Sequence, residues 1–233
     1  MLAAVCRTLA ATARTAAAAL PTLPAATRTV AAAFTFVALA ASLGGCAEDS
    51  ASSRAAPPRL VSVLGVGSER AIGFAVAANR VVTVAHAVEG NQGVRVRVGG
   101  GSRRARILRV DRRADLALLA VPGLRASTAD IATAGNEDTV RVMVLRGDRS
   151  EALPAVVRRA IDARVNAPGA DRPLRRPALE LEARTRAGDS GAPVVTEAGA
   201  VAGVVFARSR NNRDTAYAVD ARALDQLLAE GRA

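Results

Sequence analysis

The chain has 233 residues and a formal net charge of +11, and all 32 of its basic side chains are arginines. One histidine and two cysteines exclude metal sites built from several histidines or cysteines, and a scaffold held by many disulfides. The positive charge invites a nucleic-acid partner, but only 2% of the residues are aromatic, and unpaired bases stack on aromatic side chains. A composition biased towards Ala and Arg explains the charge better, so no nucleic-acid partner is expected.

Residues 1–46 have the features of an export leader. A segment with a few arginines and no acid precedes the uncharged stretch Thr29–Ala47, which is typical of a secretory signal. The stretch contains Leu-Gly-Gly-Cys46, which resembles a bacterial lipobox and implies that Cys46 is lipid-modified and becomes the mature N-terminus. A retained transmembrane anchor, cleavage without lipid and an organellar transit peptide are the alternatives. In each bacterial case the functional domain lies outside the cytoplasm and folds without disulfides.

Residues 47–58 are predicted to be a polar linker rich in Ala, Ser and Pro, and residues 59–233 the functional domain. In that domain, short apolar runs broken by Gly, Asn, Asp and Arg predict strands, with the clearest alternation of apolar and charged residues over Val94–Val98. The predicted strands are Leu60–Leu64, Ile72–Ala77, Arg80–Val84, Val94–Val98, Ala105–Val110, Leu116–Val121, Val140–Leu145, Ala152–Ile161, Ala178–Arg184, Val194–Thr196, Val201–Ala207 and Ala216–Val219.

This strand pattern predicts an all-β fold made of two six-stranded antiparallel β-barrels with a C-terminal helix. Residues 59–125 are assigned to the first barrel, and residues 126–233 to the second barrel and the helix. The helix is predicted over Asp220–Glu230, because Asp220 is a suitable N-cap and apolar residues follow at helical spacing. No further domain is expected after the second barrel.

Three motifs in this domain contain residue types that act together in nucleophilic catalysis. His86 follows one predicted strand, Asp115 precedes another, and Ser190 lies in Gly-Asp-Ser-Gly-Ala-Pro. A serine hydroxyl needs a base to take its proton during attack, and imidazole has a suitable pKa. A carboxylate fixes the imidazole tautomer and stabilises the imidazolium that forms. Backbone N–H groups in a glycine-flanked turn are suited to bind an oxyanion.

Chain order restricts the architecture that such a triad requires. The chain's one histidine precedes Ser190, which excludes the Ser–Asp–His order of α/β-hydrolases. An Asp–His–Ser order would need an aspartate before His86, where only Asp49 occurs, in the linker. The order His–Asp–Ser therefore remains, with Asp115 as the acid.

The sequences Thr-Val-Ala-His-Ala around His86, Asp-Leu-Ala-Leu-Leu from Asp115 and Gly-Asp-Ser-Gly-Ala-Pro around Ser190 resemble the trypsin-like serine proteases of chymotrypsin fold. Among these, the chain is similar to bacterial envelope proteases of the HtrA kind, without their PDZ domain. The resemblance covers roughly residues 60–230. It implies that His86 is the general base, that Asp115 orients it, that Ser190 attacks, and that the N–H groups of Gly188 and Ser190 form the oxyanion hole.

Two residues near the expected nucleophile need comment. One departs from the family pattern, and the other is an acid that needs a partner. Ala192 stands where the family usually has a second glycine, a small change that we expect to preserve the turn. Asp189 precedes the nucleophile, and its equivalent in zymogen-activated relatives pairs with a new amino terminus. A lipid-modified or distant N-terminus cannot fill that role, so we expect Asp189 to pair with an arginine.

The resemblance also implies a substrate pocket between the residues just before the nucleophile and the strand after it. The candidate pocket residues are Arg184, Val205 and Phe206. A basic group at the pocket base would favour acidic or small substrate side chains, because it repels Lys and Arg. The alternative is that Arg184 points to solvent at a strand end. The chemistry requires no cofactor and no metal ion.

These observations predict an exported serine endopeptidase that acts on protein or peptide substrates in the bacterial cell envelope, attached to a membrane through a lipid or an anchor. Two alternatives come from other functional classes. One is a catalytically silent protein that holds peptides in the cleft between the barrels. The other is a basic surface protein that binds anionic lipid, glycan or nucleic acid, for which binding would fall steeply with salt.

Overall fold

The computed structural model describes residues 55–65, 70–90, 93–165 and 172–231. The predicted leader, the expected lipidation site Cys46 and most of the predicted linker lie outside the described residues. Within the described part of the chain, no helix is both long enough and apolar enough to cross a bilayer. The end of the linker lies on the folded domain, where the Ala55 N–H donates to the Ala198 carbonyl over 2.8 Å.

The N-terminal half of the domain is an antiparallel sheet in the strand order β5-β4-β1-β2-β3-β7-β6. Val, Ile and Leu at alternate positions point into the sheet's buried side, which is why these short segments form strands. A short 3₁₀ turn, Ala85–Ala87, follows β3. The strands are β1 (Leu60–Leu64), β2 (Arg70–Ala77), β3 (Arg80–Val84), β4 (Arg95–Val98), β5 (Gly101–Arg104), β6 (Arg106–Asp111) and β7 (Leu116–Ala120).

The C-terminal half is a closed six-stranded barrel in the order β10-β13-β12-β11-β8-β9, with all neighbours antiparallel. Closure leaves no free edge in this sheet. The longest strand, β9 (Arg149–Val165), pairs with β8 through its first half and with β10 through its second half. The strands are β8 (Thr139–Arg146), β9 (Arg149–Val165), β10 (Leu174–Glu182), β11 (Pro193–Thr196), β12 (Val201–Arg208) and β13 (Thr215–Asp220).

The predicted all-β fold with two barrel-like units and a C-terminal helix is confirmed. Two of the twelve predicted strands, Leu60–Leu64 and Arg80–Val84, have the observed bounds. The N-terminal unit has seven strands rather than the six predicted, because Gly101–Arg104 also forms a strand. Its four residues are all exposed and none is apolar, so hydrophobic alternation could not reveal it.

The single α-helix of the described residues, α1 (Ala221–Glu230), begins as predicted after Asp220. The Asp220 carboxylate accepts a hydrogen bond of 2.8 Å from the Arg222 N–H, which satisfies one of the unpaired donors of the first turn. The apolar face of α1 packs against β12, β13 and β7, so the helix contacts both halves of the domain. Buried side chains from both halves form one continuous hydrophobic core.

Candidate active site

His86 lies in the 3₁₀ turn that follows β3, where the buried strand reaches the surface. Its side chain is 42% exposed, so the ring is accessible to a substrate. The turn is held to the segment before β7 by a 2.9 Å hydrogen bond from the Ala85 N–H to the Asp115 carbonyl. Pairing of β3 with β7 therefore brings the predicted histidine and the predicted acid together.

Asp115 binds His86 through both of its carboxylate oxygens. Oδ2 lies 2.8 Å from His86 Nδ1, and Oδ1 accepts a 3.0 Å hydrogen bond from the His86 backbone N–H. The backbone of Asp115 has φ of +59°, a conformation that aspartate tolerates better than most residues. Because an ionised carboxylate only accepts hydrogen bonds, the proton of the neutral ring lies on Nδ1. Nε2 is then the basic nitrogen.

Ser190 lies in the turn between β10 and β11, and that turn is fastened to the N-terminal sheet. The Ile72 N–H donates to the Ser190 carbonyl over 2.7 Å. Gly191 has φ of +85°, and a Cβ there would overlap the Ile72 carbonyl oxygen and lie 2.9 Å from the Thr83 hydroxyl. Glycine is therefore required for this close approach. The contact places the Ser190 turn against β2 and β3, and β3 leads directly into His86.

The backbone of the same turn offers two unused donors. The N–H groups of Asp189 and Gly191 donate to the carbonyls of Arg186 and Val205. Ser190 lies between these two residues and Gly188 precedes them. Their N–H groups donate in none of the hydrogen bonds found among the described residues. Gly188 has φ of +91°, a conformation that glycine adopts without strain. Such a pair of free donors is suited to an oxyanion.

Asp189 has the arginine partner that the sequence led us to expect. Its buried carboxylate accepts two hydrogen bonds from the Arg146 guanidinium, at 2.5 and 3.1 Å, and a third of 2.7 Å from the Arg186 backbone N–H. The hydrogen bond to Asp189 raises the pKa of Arg146 above its ordinary value, so this guanidinium stays charged throughout the physiological range. Ala192 is fully buried in this turn, and its N–H donates to the Asp189 carbonyl over 3.1 Å.

The structure brings together only part of the predicted substrate pocket. Arg184 lines a cavity of about 540 Å³ beside the Ser190 turn, but its side chain is 83% exposed and pairs with Asp214 over 2.5 Å. Of the two readings of Arg184, the structure therefore favours the one in which its side chain points to solvent. Val205 and Phe206 are buried and do not line this cavity. The cavity is lined by Arg184, Thr185, Arg186, Ala187, Arg208, Arg213 and Asp214.

Sequence reasoning missed a further charged residue at the site, Arg176. It lies on β10, is only 2% exposed, and places its guanidinium 3.2 Å from Asp115 Oδ2. The same group lies 5.0 Å from the centre of the Phe206 ring. The sequence did contain an indication of its burial. Arg176 lies two residues before the buried Ala178, so both side chains point to the inward-facing side of β10.

Comparison with known proteins identifies the family to which this domain belongs. The family profile of the trypsin-like peptidase domain matches residues 71–204, a range that includes His86, Asp115 and Ser190. The serine protease Rv3671c of Mycobacterium tuberculosis is 32% identical over 183 residues, which is 76% of this chain and 44% of that protein. The chain thus matches less than half the length of this curated relative.

Solved structures show the same fold. The active form of the Rv3671c protease from M. tuberculosis superposes with a TM-score of 0.69 at 30% identity, covering 74% of this chain and 80% of that one. The MamO protease domain from Magnetospirillum magneticum gives a TM-score of 0.61 at 21% identity over 73% of this chain and 95% of that one, a likeness of fold alone. With the family profile spanning more than half of its length, the chain belongs to the trypsin-like serine proteases.

Proposed function

We propose that the chain is a serine endopeptidase that hydrolyses peptide bonds through His86, Asp115 and Ser190. The observation that carries the proposal is the 2.8 Å contact between His86 Nδ1 and Asp115 Oδ2, in a sheet to which the Ser190 turn is fastened at Ile72. The turn that carries Ser190 thus lies against the strands that lead to His86, where the two halves of the domain touch.

The proposed reaction follows from these positions. Ser190 Oγ attacks the carbonyl carbon of the peptide while its proton passes to His86 Nε2, and Asp115 stabilises the imidazolium that results. The N–H groups of Gly188 and Ser190 bind the oxyanion. His86 then gives the proton to the leaving nitrogen as the C–N bond breaks, which leaves an ester on Ser190. A water molecule, deprotonated by His86, hydrolyses the ester and regenerates the serine.

The arginine-lined cavity supports a preference for acidic or small side chains before the scissile bond. Asp214 offsets the charge of Arg184, whereas the guanidinium groups of Arg186, Arg208 and Arg213 form no ion pair with the described residues. The cavity wall therefore keeps an excess of positive charge, which attracts a carboxylate and repels Lys and Arg. A peptide library should be cleaved after Glu, Asp or small residues, and cleavage mainly after Arg or Lys would contradict the preference.

The leader supports a location in the bacterial envelope, with the domain outside the cytoplasm and a lipid on Cys46. Metabolic labelling with an alkynyl fatty acid tests this: the wild-type chain should be labelled and partition with membranes, and Cys46→Ala should lose the label. Cys6→Ala is the matched control and should retain it. An unlabelled wild-type chain that stays with membranes would favour a retained transmembrane anchor instead.

The function itself is tested by incubating the full chain with an unfolded protein substrate. Wild-type protein should release peptides, while Ser190→Ala and His86→Ala should lose this activity and keep the same unfolding temperature. A wild-type protein that binds peptides and leaves them intact would favour the catalytically silent alternative. Cleavage that persists in Ser190→Ala would mean that another group is the nucleophile.

A further inference from the structure

We infer that Arg176 is a positioning residue of the active site, which holds the Asp115 carboxylate from the second barrel and opposes protonation of His86. The inference rests on the proposed function for its effect on turnover. The contact that it starts from is structural and independent of that function: Arg176 and Asp115 lie on different halves of the domain and meet at 3.2 Å.

The guanidinium of Arg176 shares one carboxylate oxygen with the histidine. Asp115 Oδ2 lies 2.8 Å from His86 Nδ1 and 3.2 Å from an Arg176 terminal nitrogen. That same Arg176 nitrogen also lies 3.4 Å from the Ala114 carbonyl. Arg176 thus contacts the backbone just before Asp115 as well as its side chain, so it restrains both the position and the rotation of the carboxylate.

Burial gives this contact its weight. Arg176 is 2% exposed, and removing a guanidinium from water costs several kcal/mol unless a counter-charge offsets it. Asp115 is the carboxylate that the described structure provides, and the face of the Phe206 ring, 5.0 Å away, provides a weaker attraction. The Arg176 Nε atom is buried without a hydrogen-bond partner. An apolar side chain of similar length would avoid that penalty, so structural packing alone does not account for an arginine here.

Two other carboxylates of the described residues near this corner have contacts of their own. Glu89, on the segment after the histidine turn, pairs with Arg112. Asp111, at the end of β6, accepts a 2.9 Å hydrogen bond from the Ala114 N–H. Asp115 contacts the imidazole directly, and Arg176 reaches it through the Asp115 carboxylate.

The charge arrangement has a definite consequence for the base. A cation behind Asp115 weakens the attraction between that carboxylate and an imidazolium, since like charges disfavour each other at short range. His86 then stays neutral, and able to accept the serine proton, to a lower pH than Asp115 alone would permit. Removing the cation should move the titration midpoint of His86, and the acidic limb of kcat/KM, to higher pH by about one unit.

The chain offers a direct readout, because His86 is its one histidine. Labelling the full chain with ¹⁵N-histidine gives imidazole signals from this site alone, and their pH titration reports its protonation. Three variants are compared with wild type: Arg176→Met removes the charge, Arg176→Lys keeps it, and Arg175→Met is the matched control. Arg175 is the neighbouring residue on β10, exposed and paired with Asp162 at 3.2 Å.

Arg176→Met should raise the titration midpoint and lower kcat roughly tenfold with little change in KM, because a displaced Asp115 misaligns the base. Arg176→Lys should recover most of both properties, and Arg175→Met should match wild type. An unchanged midpoint in Arg176→Met, or a Lys variant as impaired as the Met variant, would overturn the inference. If the Met variant does not fold, a Lys variant with a wild-type midpoint supports it and one with a raised midpoint overturns it. If wild-type protein hydrolyses nothing, the proposed function fails while the titration still decides the role of Arg176.

Discussion

Two aspartates at the candidate active site each pair with an arginine, but their carboxylate oxygens contact different sets of partners. Asp189, beside Ser190, accepts hydrogen bonds from the Arg146 guanidinium through both oxygens and one more from a backbone N–H. Asp115 gives one oxygen to the backbone of His86 and shares the other between the imidazole and Arg176. Both members of the first pair belong to the second barrel. The second joins the two halves of the domain.

The difference indicates two separate tasks. A bidentate pair with a buried carboxylate fixes the shape of a turn, because both partners lose their hydrogen bonds if it opens. A carboxylate shared between a cation and an imidazole also sets how readily that imidazole takes a proton. Substitutions around Asp189 should therefore act mainly on stability, and substitutions around Asp115 mainly on turnover.

The largest effect is expected for Asp115→Asn. The amide keeps the size of the carboxylate but favours the wrong imidazole tautomer and cannot stabilise the imidazolium, so kcat should fall by about 10³–10⁴-fold. Steady-state hydrolysis of a peptide substrate, measured well below the unfolding transition, tests this. The unfolding temperature should also fall, because the buried Arg176 guanidinium loses its counter-charge. A variant that loses less than tenfold in kcat would contradict the orienting role of Asp115.

Arg146→Met should act on stability instead. It leaves the Asp189 carboxylate, 2% exposed, without its counter-charge, which should lower the free energy of unfolding by about 3–5 kcal/mol. Urea unfolding measures the loss. Arg141→Met, on the same strand and without an ion pair among the described residues, is the control and should lose much less. Equal losses in the two variants would mean that the Asp189 pair contributes little.

Gly191→Ala tests the contact between the Ser190 turn and the N-terminal sheet. The new methyl group would overlap the Ile72 carbonyl oxygen, so the free energy of unfolding should fall by about 2–4 kcal/mol from strain and displaced backbone. Gly147→Ala is a matched control, since that glycine also has positive φ but has open space around it. It should lose only about 1–2 kcal/mol from the backbone conformation. Similar losses in both variants would show that the contact is not required.

The smallest effect is expected for Arg184→Gln. Its ion pair with Asp214 joins two exposed side chains, and such pairs contribute little because water screens them. The unfolding temperature should stay at the wild-type value in differential scanning calorimetry. A clear drop in the unfolding temperature would show that this exposed ion pair contributes to stability as the buried Arg146 pair does.

The parts of the fold and site that sequence could predict are those with a strong local signal. The apolar run of the buried strand Arg80–Val84 gave its bounds correctly. Asp220 was correctly predicted as the N-cap of the helix. The three motifs placed His86 and Asp115 where they make contact. Gly101–Arg104 was missed because an exposed polar strand is stabilised by pairing with its neighbour alone.

The arginine partners could not be identified, because 32 arginines make each one an equal candidate until strand pairing brings a few of them close. Arg146 and Arg176 lie 43 and 62 residues from their partners Asp189 and Ala114 along the chain. The position of Phe206 could not be predicted for a related reason. Its ring packs on the Arg176 guanidinium, and that neighbour comes from another strand.

Covalent labelling tests the central claim, that Ser190 is a nucleophile activated by His86, most directly. The full chain is incubated with a fluorophosphonate probe and the adduct is located by peptide mass spectrometry. The account predicts one phosphonyl group per folded chain, attached to Ser190, no adduct in Ser190→Ala, and strongly slowed labelling in His86→Ala. A folded wild-type chain that remains unlabelled, or one labelled at the same rate in His86→Ala, would contradict it.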